Sequence, residues 1–205
     1  GILFFIISPR IFADSFYNNK DIIFLSFFIF SIYFAFRLID KPSNKNIILS
    51  ALFCALAIDI RLVAVILPAI LLLVFFLNEL KNKKKIKYIF NRLFSFLFFL
   101  IFFVIIFWPY LWSNPIKNFY EAFEQMTNYP HEIYNLFKGE YVSSQNLPIS
   151  YLPTWIIYTT PIWYIVLFFI GIFYLFKNLF KKEKINKDLL ILLILFSVFF
   201  IVIFL

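Results

Sequence analysis

Three carboxylates and two guanidinium groups stand out because nearly everything around them is apolar. Asp14 and Asp21 share the stretch Ser8–Asp21 with Arg10 and Lys20. Asp59 and Arg61 interrupt a single apolar run from Ile47 to Leu77. A carboxylate facing a cavity at a membrane surface can act as a general base or hold a cation. A guanidinium matches the oxygens of a phosphate and grips them through paired hydrogen bonds. Arg61 is therefore a candidate to hold a lipid phosphate, with Asp59 orienting or neutralising it. The plain structural alternatives are that Asp21 sits at a helix N-terminus, where the dipole favours negative charge, and that Arg61 snorkels to the headgroups.

His131 is the only histidine and is followed by Glu132, which makes it a candidate substrate-binding residue on the same side as the carboxylates. No second histidine or paired cysteine supports a metal centre of the usual spacing. No cofactor is called for, although a divalent cation beside the carboxylates is compatible with the chemistry. There is no phosphate-binding glycine loop, dinucleotide turn, nucleophile elbow or CxxC pair, so nothing points to nucleotide hydrolysis.

The elements that carry these residues follow from composition. Apolar residues make up 63% of the chain, against about half in soluble domains, and one core could not hide so much apolar surface. The chain reads as an all-α, multi-pass integral membrane protein. Its 33 phenylalanines accompany abundant Ile, Lys, Asn and Tyr, as A/T-rich codons would give, and mark no binding site by themselves. Cys54 is the one cysteine and forms no disulfide within the chain. The chain starts and ends inside apolar runs, as expected of a fragment of a longer protein, truncated at both ends.

Residues 1–7 read as the end of a membrane helix and Ser8–Asp21 as a loop at the membrane surface. Ile22–Ile39 is long enough to cross about 30 Å of hydrocarbon. Ile47–Leu77 is too long for one crossing. Basic residues flank it on both sides, Lys41 and Lys45 before and Lys81 to Arg92 after. Short basic loops stay in the cytoplasm, so the run is expected to form a hairpin with arms 46–58 and 62–78 and Asp59-Ile60-Arg61 at its apex. Tyr88–Trp108 crosses outward, Ile156–Phe176 crosses back, and Leu189–Leu205 begins a last crossing. The expectation is six to seven transmembrane helices. The polar stretch, the hairpin apex and a 109–155 loop then share the extracytoplasmic side. The net charge of +8 is a topology signal and implies no nucleic acid. In the long loop, Asn114-Pro115 starts an amphipathic helix whose apolar stripe is Ile116, Phe119, Tyr120, Phe123 and Met126. The stripe is expected to pack, with Asn118 on the polar side.

Pro9-Arg10-Ile11-Phe12-Ala13, Ser15-Phe16-Tyr17-Asn18 and Lys20-Asp21 before a membrane helix, together with Ala55-Leu56-Ala57-Ile58-Asp59-Ile60-Arg61, resemble motifs of the membrane-embedded GT-C glycosyltransferases. The closest likeness is to bacterial relatives of the dolichyl-phosphate-mannose protein mannosyltransferases. Trp108-Pro109-Tyr110-Leu111-Trp112, Leu147-Pro148 with Tyr151, and Thr159-Thr160-Pro161 look like later motifs of that family. The resemblance implies one GT-C-like transmembrane domain over 1–205. It implies transfer of a sugar from a polyprenyl-phosphate carrier to a lipid, glycan or protein acceptor at the outer leaflet of a bacterial inner membrane. It gives Asp21 and Asp14 supporting catalytic roles, with the main base upstream of Gly1. Arg10, Arg61, His131 and Tyr151 become substrate-binding. The rival classes are a polytopic transporter or lipid flippase, which would put ionisable groups near mid-membrane, and a non-catalytic membrane subunit.

Overall fold

A computed structural model describes residues 7–127 and 133–179, together with Ile191 and Ile194. His131 and Glu132, most of the third basic loop and most of the last expected crossing lie outside the described residues.

The stretch read as a surface loop is a helix. α1 spans Pro9–Tyr17. Proline at the first position has no amide hydrogen to leave unpaired, and Arg10 and Asp14 sit one turn apart on the same side as an ion pair of 3.8 Å. The residues are polar enough to look like a loop, but their period is helical. The chain turns at Asn18 and enters α2, Asn19–Asp40. Asn18 caps it: its side-chain oxygen accepts from the Asp21 amide at 3.1 Å, and its side-chain amide donates to the Asp21 carboxylate at 2.6 Å. Asp21 is therefore not the cap itself but the cap's partner in the first turn.

α3 spans Asn44–Ile60, and Arg61 ends it in an extended conformation. A short 3-10 turn, Leu62–Val65, leads into α4, Ile66–Lys81. The arms run antiparallel, because Cys54 shares a gap with Leu67 and Leu71 while Ile47 shares one with Leu71 and Phe75. α5, Ile86–Phe107, follows. α3 is the centre of the bundle and packs against both α2 and α5. Ala51, Ala55 and Ala57 are fully buried on it. Small residues let helix backbones approach closely in a membrane, where packing replaces the hydrophobic drive. At the start of α3, Arg92 donates to the Asn44 side chain, which gathers the basic loops at the end of the bundle opposite Arg61.

Among the described residues, three helices are long and apolar enough to cross a membrane: Asn19–Asp40, Leu62–Lys81 and Ile86–Phe107. α3, with 17 residues, rises about 25 Å, short of a full crossing. A fourth candidate is broken. α7, Tyr151–Thr159, and α8, Ile162–Leu179, meet at a 112° bend. The crossing expected from Ile156, with a distortion at Thr159-Thr160-Pro161, is broken outright at Thr160-Pro161, where proline supplies no amide for the ladder and pushes the residue before it out of helical geometry.

The connecting region departs from the expected pattern in two ways. α6, Pro115–Thr127, is present, but only Phe119 of its stripe packs on the core, while Ile116 and Tyr120 are exposed. Asn118 is the buried residue, donating to the Tyr110 carbonyl and, at 3.1 Å, to the Ser113 hydroxyl. Beyond it is a β-hairpin, β1 (Tyr134–Phe137) and β2 (Glu140–Ser143), joined by Lys138-Gly139 with φ of 52° and 91°. Left-handed φ at both turn residues is the geometry that matches strand twist, and glycine adopts it without steric cost. The fold remains that of an all-α membrane protein with this small β insertion.

The alanine-lined centre gives a test. Ala55→Leu should destabilise the protein by roughly 1–3 kcal/mol through overpacking, read as a lower midpoint of thermal unfolding in detergent. Ala69→Leu, on the exposed side of α4, should leave the midpoint unchanged.

Candidate functional site

The long-range ion pair at one end of the bundle is Asp21 with Arg61. A terminal nitrogen of Arg61 donates to one carboxylate oxygen of Asp21. The other oxygen accepts from Asn18. Both side chains are partly exposed, Arg61 by 29% and Asp21 by 40%. The pair is thus neither a buried ion pair nor a free surface contact. Arg61 occupies this position because α3 ends there: its amide closes the last turn on the Ala57 carbonyl at 3.0 Å, and its carbonyl accepts from Ala64 in the 3-10 turn at 2.9 Å. The side chain leaves the break sideways, toward the first turn of α2. Its Nε is buried and has no acceptor among the described residues. A buried donor left unpaired costs free energy, so this nitrogen is suited to an additional oxygen ligand.

The partner expected from sequence was Asp59, and the structure corrects this. Asp59 lies two residues from Arg61 but makes no hydrogen bond or ion pair among the described residues. A helix turns about 100° per residue, so residues two apart point to different sides. Asp21 reaches Arg61 instead, from 40 positions away. Half-buried Asp59 is a carboxylate left over at the same end of the bundle.

Arg10 and Asp14 form a second, more exposed pair on α1. Arg10 also donates to the Thr159 hydroxyl at 3.1 Å, which joins α1 to the end of α7. A cleft of about 530 Å³ lies there, lined by Arg10, Trp155, Tyr158 and Thr159 among others. The two pairs meet only through Asn18, whose backbone amide donates to the Asp14 carbonyl at 2.8 Å while its side chain holds Asp21; among the described residues no side chain of one pair bonds a side chain of the other. Tyr151 belongs to neither, since its ring packs on Phe137 at 5.1 Å and Trp155 at 6.3 Å. Sequence reasoning thus picked out both arginines and both aspartates but missed Asn18, which orients Asp21, and Thr159 as the partner of Arg10. The signal for Asn18 was its place three residues before a first-turn carboxylate.

α6 lies over this end of the bundle, against the 3-10 turn that follows Arg61. Trp108 and Phe119 meet at 6.3 Å beneath it. The Tyr110 hydroxyl donates to Glu121 at 2.9 Å, which holds the phenol above its ordinary pKa because ionisation would lose that bond beside a carboxylate. Among the described residues no group of three His, Cys, Asp or Glu converges as a metal site.

The sequence profile of the dolichyl-phosphate-mannose-protein mannosyltransferase family matches residues 1–108, more than half of the 205-residue chain. The chain belongs to this family. It is an integral membrane glycosyltransferase of the GT-C type. The matched segment holds α1 to α5 and both ion pairs, and ends before the hairpin, Tyr151 and the bend. No curated protein and no solved structure matches the chain.

The coupling of Asp21 and Arg61 is measurable. In a double-mutant cycle with Asp21→Asn and Arg61→Gln, unfolding should show an interaction energy on the order of 1 kcal/mol. Additive effects would mean that the two side chains do not act as a pair.

Proposed function

We propose that this enzyme transfers a sugar from a polyprenyl-phosphate carrier to a lipid, glycan or protein acceptor, at the outer leaflet of a bacterial inner membrane. The reading is that of a multi-pass protein with six to seven crossings, whose 109–155 segment lies outside with the hairpin apex and α1. The observation that carries it is Arg61. It is a guanidinium at a helix break, held on one side by Asp21, with a buried Nε still lacking an acceptor. A phosphate oxygen would supply that acceptor, and a guanidinium is always charged to meet it.

The chemistry follows from the donor. The acceptor oxygen attacks the anomeric carbon, and the bond from that carbon to the phosphate oxygen breaks. The polyprenyl phosphate departs with the electron pair, and the acceptor proton passes to a carboxylate. Arg61 stabilises the charge that grows on the leaving phosphate. Asp21 positions Arg61 and shapes the wall of the site. Asp14, tied to Arg10, is a supporting residue, and Arg10 serves acceptor or donor binding near Trp155. His131 and Tyr151 are kept as substrate-binding candidates. The principal base is assigned to sequence before Gly1. A nucleotide is not needed, because the sugar–phosphate bond carries the free energy.

The Asp21–Arg61 pair sits at helix ends and the Arg10–Asp14 pair on the short α1, neither in the middle of a membrane span, which favours an enzyme over a transporter with ionisable groups at mid-membrane. Arg61→Ala should raise KM for the polyprenyl-phosphate sugar about ten- to hundredfold, the worth of a hydrogen bond to a charged group, in initial-rate assays on the intact protein in nanodiscs. Asp21→Asn should lower kcat at unchanged expression. An unchanged KM in Arg61→Ala would remove the phosphate from this site.

A further inference from the structure

Two clefts flank one aromatic ridge on α7. Trp155 and Tyr158 lie three residues apart and so share one side of the helix. Both line the cleft of about 530 Å³ beside Arg10, and both line a second cleft of about 330 Å³ beside Lys138. Each volume falls in the range of small-molecule sites, about 300–1,000 Å³. The ridge is open, with Trp155 exposed by 41% and Tyr158 by 85%.

Packing and hydrogen bonds hold the walls in place. Phe137 packs on Tyr151 and Tyr151 on Trp155, which anchors the tip of the β-hairpin to α7. Lys138, at that tip, rests its ammonium over the Phe137 ring at 5.2 Å and has no acidic partner among the described residues. On the other side, the Thr159 hydroxyl accepts from one terminal nitrogen of Arg10 and donates to the Trp155 carbonyl at 2.7 Å. The other terminal nitrogen of Arg10 makes no hydrogen bond among the described residues. Each cleft thus has one cation and, among its described lining residues, no carboxylate.

That combination selects a chemistry. The face of an aromatic ring is electron-rich and attracts the C–H groups of a pyranose laid against it. A guanidinium or ammonium takes up a carboxylate or phosphate. A hydrocarbon chain would use the rings and leave both cations unmatched. A phospholipid would bring one phosphate to one cleft and leave the other cation unmatched. An oligosaccharide with acidic groups on successive sugars matches the rings and both cations.

We propose that the Trp155–Tyr158 ridge binds an acidic oligosaccharide, one anionic sugar in each cleft, as the acceptor of the transfer. The acceptor role, though not the saccharide site itself, rests on the reading of Arg61 as the ligand of the donor phosphate. Arg10 belongs to α1, which is joined through Asn18 to Asp21. The saccharide therefore lies next to the donor site rather than on it.

The test measures binding of digalacturonate and galactobiose to the intact protein in nanodiscs by titration calorimetry. The two probes share rings and linkage and differ in carrying carboxylates or hydroxymethyl groups. Wild-type protein should bind digalacturonate about tenfold more tightly. Lys138→Gln should reduce that preference, and Lys138→Gln combined with Arg10→Gln should abolish it. Tyr158→Ser removes a ring that touches no other ring among the described residues, and should weaken both probes about tenfold. Equal wild-type affinity for the two probes, no binding of either, or unchanged affinity in Tyr158→Ser would overturn the proposal. Displacement of digalacturonate by an equal concentration of glycerol phosphate would also overturn it and make the clefts a ledge for lipid headgroups. Saturating undecaprenyl phosphate should leave the digalacturonate affinity unchanged, whereas competition would overturn the acceptor role. Failure of undecaprenyl phosphate itself to bind would sink the reading of Arg61 and leave the saccharide site standing, so the two failures are distinct.

Discussion

One ion pair fixes the geometry on which the site depends. Asp21 stands in the first turn of α2, and Arg61 at the break between α3 and the 3-10 turn. Their contact ties the start of one helix to the end of the next, while the basic loops lie at the other end of the bundle. At this exposure the pair adds little stability, so its value is positional. Asn18 occupies one carboxylate oxygen and leaves the other for Arg61. Arg61 in turn spends one terminal nitrogen on Asp21 and keeps Nε in reserve. The arrangement orients a cation without fully satisfying it, as a site for an anionic group requires.

The membrane class was legible in the sequence because it rests on composition, which needs no contacts. The break at Asp59-Ile60-Arg61 was legible too, because charged residues there interrupt an apolar run too long for one helix across a membrane. Partner choice was not. Asp59 is the neighbour in sequence, but Asp21 is the neighbour in space, and only the antiparallel packing of α2 on α3 decides that. The helix at Pro9–Tyr17 was hidden by its polarity, although its Arg10–Asp14 spacing was helical all along. On α6, polarity misled in the other direction: Asn118 is buried because local carbonyl and hydroxyl acceptors satisfy it, while Ile116 stays out. The β-hairpin escaped because its turn is Lys138-Gly139, not the Asn-Gly or Asp-Gly that signals such turns.

The family match and the site coincide in the first half of the chain, while the second half contributes by contact. Arg10 reaches Thr159 at the end of α7, and α6 lies against the turn after Arg61. The regions beyond residue 108 thus touch both ion-paired regions without supplying the pairs themselves. Variation in the second half would alter what approaches the site, and variation in the first half would alter the site itself.

The alanines of α3 have a mechanical consequence. Ala51, Ala55 and Ala57 have no rotamers, so the faces they present to their neighbours cannot be rearranged by side-chain movement. A bundle joined through larger side chains can absorb a displacement by local repacking, whereas one joined backbone to backbone transmits it. When the surrounding bilayer thickens or thins, the helices around α3 are therefore constrained to shift together, and the spacing between the first turn of α2 and the end of α3 is conserved like the gap of a rigid caliper.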